Sequence, residues 1–123
     1  MDLEASRVVR IGIPRGEAYP MGPGKAALLE AILETGSISA AARNLNLSYR
    51  KAWTLVDTMN RHFREPLVSA TTGGPQGGGA VVTEAGREAL RRYRALERQA
   101  WEAIQADALA FTKLLKPNDL AIF

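Results

Sequence analysis

The sequence predicts a mainly α-helical fold that carries one small β-hairpin and ends in a long helix. Three patterns support this prediction. Two serine-initiated helical segments follow one another between residues 37 and 63, a glycine-rich segment separates two β-branched runs, and neither glycine nor proline occurs from Arg87 to Lys116. Because serine favours helix N-termini and glycine and proline interrupt helices, these patterns indicate a helical chain with a single hairpin.

The composition is that of a globular chain without redox or metal chemistry. Of 123 residues, 46% are hydrophobic and 24% are charged, cysteine is absent and His62 is the single histidine. Disulfides, thiol catalysis and clusters of Cys or His around a metal are therefore excluded. Because no acid, base and nucleophile converge in the sequence, we expect no catalytic residues, no metal, no cofactor and no enzymatic activity.

Hydropathy and charge bear on location and partners. No apolar run approaches the roughly 20 residues of a membrane span, and the N-terminus has no apolar signal core, so we expect a cytoplasmic chain without membrane contact. The formal net charge is +3. Five basic residues lie in a short central stretch, namely Arg43, Arg50, Lys51, Arg61 and Arg64. Such a local basic field suits a polyanion, although a solvated helix face would show the same pattern.

The N-terminal part predicts a strand, a loop and a helix in that order. Residues 7–13 are rich in β-branched side chains and predict a short strand, whereas residues 14–24, with three prolines and three glycines, predict a loop. The run at 22–25 lacks the glycine and the hydroxyl residue that a phosphate loop needs, so we interpret it as a helix entry. Apolar residues at helical spacing predict a helix over residues 25–35 that stops at Gly36.

Two further helices follow with a short connection between them. Ser39 is the expected N-cap of the first, residues 44–47 carry the turn, and Ser48 is the expected N-cap of a helix from Tyr49 to about Phe63. That helix is amphipathic, with an apolar stripe formed by Ala52, Leu55, Val56, Met59 and Phe63. Two short helices joined in this way form a helix-turn-helix, whose second helix enters the DNA major groove while the first crosses the backbone.

The polar face of the second helix is the predicted DNA-binding surface. Its members are Ser48, Tyr49, Arg50, Lys51 and Thr54. Arg50 can fork onto guanine O6 and N7. Ser48 and Lys51 suit phosphates, and the remaining two suit either a phosphate or a thymine methyl group. Trp53 borders the apolar stripe, where core packing is favoured over base stacking.

A hairpin follows the second helix. Residues 67–71 and 80–83 predict two strands, and the glycine-dominated segment between them lets the backbone approach phosphates closely. Free N–H groups in such a turn can bind anions. We interpret the hairpin as the wing of a winged helix-turn-helix and expect DNA contacts from Gly74, Gln76 and Gly77, a flexible connector being the alternative.

The last helix is the predicted dimerisation element. Thr83 is its expected N-cap, and at roughly 1.5 Å per residue its thirty-residue pattern would span about 45 Å, more than so small a domain can bury. A coiled-coil-like seam is formed by Trp101, Ile104, Ala108, Phe111 and Leu115. We expect a homodimer, with folding back onto the chain's own domain as the alternative. The predicted organisation is a DNA-binding domain over 1–83, a dimerisation helix over 84–116 and a tail over 117–123.

Five segments together resemble one protein family. They are 36–42 (GSISAAA), 48–53 (SYRKAW), 59–60 (MN) and the wing segments 72–74 and 77–83 (TGG and GGGAVVT). The chain is similar over residues 24–112 to the N-terminal DNA-binding domain of the ModE family of molybdate-responsive transcriptional regulators. The LysR-like winged helix shares the alanine-rich helix and the element at 83–86, but not the glycine-rich wing.

The resemblance implies a winged helix, a dimerising linker helix and operators near molybdate-transport or molybdoenzyme genes. Tyr49, Arg50 and Lys51 match the family's recognition helix. Pro75 and Gln76 stand where family wings often carry a lysine, and the chain ends where oxyanion-binding domains would begin. We therefore expect a sequence-specific regulator that binds double-stranded DNA as a homodimer and does not itself bind molybdate. The alternative is a helical adaptor that pairs with another regulator through its last helix.

Overall fold

The computed structural model describes residues 2–71 and 79–117. In that part of the chain, the α-helices are α1 (Asp2–Val8), α2 (Pro23–Thr35), α3 (Ile38–Asn44), α4 (Tyr49–His62) and α5 (Glu84–Phe111), and a 3₁₀ turn spans Thr112–Leu114. The strands are β1 (Ile13–Arg15), β2 (Ala18–Met21), β3 (Val68–Thr71) and β4 (Gly79–Val82). The predicted fold class is confirmed: a helix-turn-helix with a small antiparallel wing is followed by a long helix.

One hydrophobic core joins the helix-turn-helix, the wing and the first half of α5. The largest buried apolar side chains of α2 are Leu28, Leu29 and Ile32. Burial of each stabilises the fold by about 1.5–3 kcal/mol. Leu90 and Tyr93 of α5 lie in the same cluster. The start of the long helix is therefore packed onto the domain that precedes it.

The predictions for the N-terminal elements are wrong in part. Residues 7–13 do not form a strand, because α1 extends to Val8 and β1 begins only at Ile13. The predicted loop over 14–24 contains β2, which pairs antiparallel with β1 through a two-residue turn that begins at Gly16, whose φ is 59°. β-Branched residues favour strands only where a pleated surface packs against neighbours. Here, packing of α1 against α5 selects the helix instead.

The turn between α3 and α4 is a regular helix stop with asparagine in the usual glycine position. Asn46 has a φ of 56°, and its N–H bonds to the carbonyl of Arg43 at 3.2 Å. The N–H of Leu47 reaches back to the carbonyl of Ala42 at 2.9 Å. This pair of bonds defines a Schellman motif. Asparagine tolerates the left-handed region better than other side chains, so a four-residue connection can reverse the chain sharply.

Two of the three predicted helix N-caps are the residues observed in the structure, and the third prediction is wrong. Ser48 caps α4 and Thr83 caps α5, as predicted, through side-chain oxygens that accept N–H groups three residues on. The N-cap of α3 is Ser37 and not Ser39. Ser37 Oγ accepts the N–H of Ala40 at 3.1 Å. Both serines fit the pattern, and the stop of α2 at Gly36 decides between them.

The wing is a four-pair ladder that is tied to the helices at its base. Val68 pairs with Val82 and Thr71 pairs with Gly79 at the far end. The N–H of Ala80 donates to the carbonyl of Gly36 at 3.0 Å, which joins β4 to the end of α2. The predicted wing contacts Gly74, Gln76 and Gly77 lie outside the described residues.

The long helix is shorter than predicted, and its seam is divided. α5 ends at Phe111, and the 3₁₀ turn replaces the expected helix to Lys116, with the Thr112 hydroxyl donating to the carbonyl of Leu109 at 2.6 Å. Trp101, the first residue of the predicted seam, is only 5% exposed, so it is already covered within a single chain. Among the other seam residues, Ile104, Phe111 and Leu115 are exposed and Ala108 is half-buried.

A close approach of α5 to Leu67, which precedes β3, and to Val82 of β4 leads to a stability test. A Cβ at Gly86 would lie 2.3 Å from the Leu67 carbonyl oxygen and 2.6 Å from Val82 Cγ1. We expect Gly86→Ala to lower the free energy of unfolding by about 1–3 kcal/mol, measured by urea denaturation. Gly24→Ala is the control, because nothing lies within 4 Å of that position. The control is expected to be neutral or stabilising by up to about 1 kcal/mol. Equal stability of the two variants would contradict the close approach.

Candidate nucleic-acid interface

Helix α4 has one face in the core and one in solvent. Ala52, Val56 and Met59 are buried against the rest of the domain. With 3.6 residues per turn, this face directs the side chains of the opposite face outward. All five helix residues predicted to bind DNA are exposed: Ser48, Tyr49, Arg50, Lys51 and Thr54. The structure brings them together at the N-terminal half of α4.

The N-cap of α4 gives this surface a donor and a positive end. Ser48 Oγ accepts the N–H of Lys51 at 3.0 Å, so the hydroxyl proton stays available to a ligand. The aligned peptide dipoles place partial positive charge at the same end of the helix. A phosphate oxygen placed at this end of the helix would meet a hydroxyl donor, a lysine and the helix dipole within one turn.

Positive charge on α4 is concentrated in its first half. Among residues 2–71 and 79–117, Arg50 and Lys51 make no ion pair with a carboxylate. Farther along the helix, Arg61 pairs with Asp57 at 3.1 Å. The field of the second half is therefore partly compensated, whereas that of the first half is not.

An aromatic contact orients the tyrosine on this surface. The rings of Tyr49 and Trp53 meet edge to face, with centroids 6.2 Å apart and planes at 75°. Trp53 is half-buried against the core, as expected, so it supports Tyr49, which stays 56% exposed. On the same face, the hydroxyl of Thr54 donates to the carbonyl of Arg50 at 3.0 Å, which leaves its oxygen lone pairs for a donor from outside.

Lys25 adds positive charge near this surface, and no pattern in the sequence predicted it. Lys25 lies in the first turn of α2, and its ammonium donates to the carbonyl of Tyr19 at 3.0 Å. Partial burial lowers the pKa of Lys25, and repulsion from the charge of Lys51 lowers it further. The charge of Lys51 is therefore close enough to act on Lys25, and both lysines add positive charge where α2 and α4 pack together. The residues at 22–25 predicted where α2 begins, but nothing in them indicates that Lys25 lies within range of the charge of Lys51.

Exposed residues of α3 adjoin the site, and Arg43 donates to the hydroxyl of Ser39 at 3.2 Å. In a helix-turn-helix, this helix faces the phosphate backbone.

Within residues 2–71 and 79–117, no three His, Asp or Glu side chains come together in a way that could hold a metal ion. None of the helices in the same ranges combines the length and apolarity needed to cross a membrane.

Comparison with known proteins agrees with this geometry. Residues 25–87 match the family described as bacterial regulatory helix-turn-helix protein, lysR family. The chain belongs to this family. The matched segment contains α3, α4 and the wing, which are the elements that form the site.

Several relatives carry names connected with molybdenum. The molybdenum-pterin-binding protein MopB of Rhodobacter capsulatus is 52% identical over 77 residues, which cover 63% of this chain and 28% of that protein. The molybdenum transport protein ModE of Azotobacter vinelandii is 53% identical over 57% of this chain and 26% of its own length. The DNA-binding transcriptional dual regulator ModE of Escherichia coli is 36% identical, over 76% of this chain and 37% of its own length. The chain thus spans between about a quarter and two fifths of these relatives.

The two serine caps of the helix-turn-helix allow a matched test of stability. Ser37→Ala and Ser48→Ala each remove one side-chain acceptor from a helix N-terminus. Each is expected to lower the free energy of unfolding by about 1 kcal/mol, measured by urea denaturation, and Ser48→Gly only by a few tenths. Unchanged stability of Ser48→Ala would show that this cap does not hold the start of α4.

Proposed function

We propose that this protein is a sequence-specific transcriptional regulator of the ModE type that binds double-stranded DNA through α4. The observation that carries the proposal is the exposed first half of α4, where Arg50 and Lys51 have no carboxylate partner in the described parts of the chain. A helix on a rigid core that presents unpaired cations and hydroxyls fits the width of the major groove.

The side chains of α4 divide between base reading and backbone binding. Arg50 would place its planar guanidinium against O6 and N7 of a guanine. Ser48 and Lys51 lie at the start of α4 and would bind a phosphate, as would Lys25, whose ammonium lies within range of the charge of Lys51. Tyr49 and Thr54 would contact a phosphate or a thymine methyl group. Gly74, Gln76 and Gly77 complete the proposal as wing contacts to the backbone.

The names of the relatives support a role in molybdenum metabolism. We propose that the target genes encode molybdate transporters or molybdoenzymes, and that the protein acts in the cytoplasm, where bacterial DNA is. The described residues form a DNA-binding unit, so we place no molybdate contact in them. The relatives named above extend well beyond the aligned length, which leaves room there for an oxyanion site.

We propose a homodimer that forms through the distal part of α5. Large exposed apolar side chains occur from the middle of α5 to just beyond its end, namely Leu96, Ile104, Leu109, Phe111, Leu114 and Leu115. Monomers seldom leave so many such side chains in water. A two-fold pair would set two copies of α4 against half-sites about 34 Å apart, or a multiple of that distance.

An adaptor without DNA affinity is the second candidate, and the basic surface of α4 disfavours it. An adaptor would require the exposed apolar side chains of α5, but it would not require cations without a carboxylate partner in the first half of α4. The two candidates differ in the salt dependence of DNA binding, because neutralised phosphates release counterions.

Arg50→Ala tests the DNA-binding surface. A target is first selected from a pool of random-sequence duplexes with the wild-type protein. We then expect Arg50→Ala to weaken binding by about 1–3 kcal/mol and to relax the base preference at one position. Binding is measured by fluorescence anisotropy over a series of salt concentrations.

Arg92→Ala is the matched control, since Arg92 is exposed on α5 and paired with Glu88. It is expected to retain wild-type affinity and base preference. Wild-type affinity of Arg50→Ala would exclude this face of α4, and an affinity independent of salt would favour the adaptor. Selected sequences should recur upstream of molybdate-transport or molybdoenzyme genes, and their absence there would exclude the proposed targets.

Phe111→Ser tests the dimer. Phe111 is 63% exposed, and its loss from an interface is expected to weaken dimerisation by about 2 kcal/mol or more, measured by sedimentation equilibrium. Tyr19→Ser is the control, because Tyr19 is a similarly exposed aromatic residue, at 59%, on the hairpin of β1 and β2. A wild-type protein that sediments as a monomer would contradict the proposal, and so would equal effects of the two substitutions.

A further inference from the structure

The side chain of Asn60 joins α4 to the first strand of the wing. Asn60 Oδ1 accepts the N–H of Leu67 at 2.8 Å and the N–H of Val68 at 3.3 Å. Asn60 Nδ2 donates to the carbonyl of Val68 at 3.0 Å. One amide thus uses both its acceptor and its donor on the backbone of two successive residues.

Asn60 supplies the backbone hydrogen bonds that a neighbouring strand would otherwise supply on this side of β3. Val68 pairs in register with Val82, yet its own N–H and C=O both bond to Asn60. Leu67 and Val68 are buried, so these backbone groups need partners within the protein. An apolar side chain of the same size could fill the space but could satisfy neither group.

The wing is therefore held at both strands by different helices. β4 bonds to the end of α2 through Ala80 and Gly36, and β3 bonds to α4 through Asn60. Asn60 follows Arg50 by ten residues on the same helix, a distance of about 15 Å along its axis. A rigid helix with the base-reading arginine near one end and the wing attachment near the other fixes the distance between them.

We propose that Asn60 is a positioning residue that sets the wing relative to α4, so that the hairpin meets the DNA backbone beside the groove that α4 occupies. The inference rests on the proposed function. Asn60 itself is half-buried, and its side-chain amide is bonded to the backbone of Leu67 and Val68. The exposed residues of β3, Ser69, Ala70 and Thr71, are the part of the described wing whose placement depends on it.

Asn60→Ala and Asn60→Asp test this role on the selected duplex. Alanine removes donor and acceptor, whereas aspartate keeps the acceptor for the two N–H groups and turns an oxygen toward the Val68 carbonyl. The readouts are a hydroxyl-radical footprint, base preference and the salt dependence of affinity. For Asn60→Ala, we expect affinity to fall about ten-fold, because a neutral hydrogen bond from the wing to a phosphate is lost. The salt slope should stay at the wild-type value, since residues 67–83 contain no lysine or arginine that could release counterions. Base preference should stay unchanged, since Arg50 is untouched, and Asn60→Asp should fall between Asn60→Ala and the wild type.

Val56→Ala is the control for a loss of stability alone. Val56 is 1% exposed on the same helix, one turn from Asn60, and its side chain packs in the core. At a temperature where each variant is folded by circular dichroism, Val56→Ala should keep the complete footprint and the wild-type affinity. The Asn60 variants should lose protection only at the backbone positions that flank the groove. If Asn60→Ala does not fold, Asn60→Asp carries the same comparison.

The outcomes separate the two proposals. A wild-type protein that selects no duplex would overturn the proposed function together with this inference. A wild-type protein that binds, with Asn60 variants that give the same footprint and the same affinity, would overturn only the role of Asn60. Equal loss in the Val56→Ala control would also overturn it, because the effect would then follow from stability.

Discussion

Small side chains set the distance between the three helices around the site, and the rest of the structure follows from that distance. Ala41 and Ala42 of α3 and Ala52 of α4 are almost completely buried, so the helix backbones approach closely. This packing leaves α4 a single orientation, with Val56 and Met59 inward. Its polar face can then only point to solvent. A larger residue at one of these alanines would separate the helices and turn that face away from a common groove.

A second set of contacts transmits this geometry to the long helix. Arg94 of α5 bonds to Glu97 at 2.7 Å and also to Glu30 of α2. Glu97 is only 1% exposed, so its charge depends on Arg94 for compensation. Burial and the nearby charge of Glu97 raise the pKa of Tyr93, which keeps the phenol protonated to donate to the carbonyl of Ile11 at 2.7 Å. These directional bonds fix the angle between α5 and the helix-turn-helix.

The proposed dimer and the proposed DNA contact depend on that angle. In a two-fold pair, the direction in which α5 leaves the domain decides how far apart the two copies of α4 lie and how they are rotated. The wing adds a second constraint, because Asn60 attaches it to α4 and Gly36 attaches it to α2. DNA would therefore meet one preformed surface on each protomer, and little conformational entropy would be lost on binding.

Local chemistry was sufficient to predict much of the site. Ser48 as an N-cap, the turn at 44–47 and the amphipathic stripe of α4 each depend on neighbours within a few residues, so the sequence alone determined the helix-turn-helix and its exposed face. Tertiary contacts decided the remainder. α1 forms where it packs on α5, Trp101 is buried within the folded chain, and Lys25 lies within range of the charge of Lys51 because α2 packs against α4. Interactions between residues far apart in the chain leave no periodic pattern, and for that reason only the folded structure reveals them.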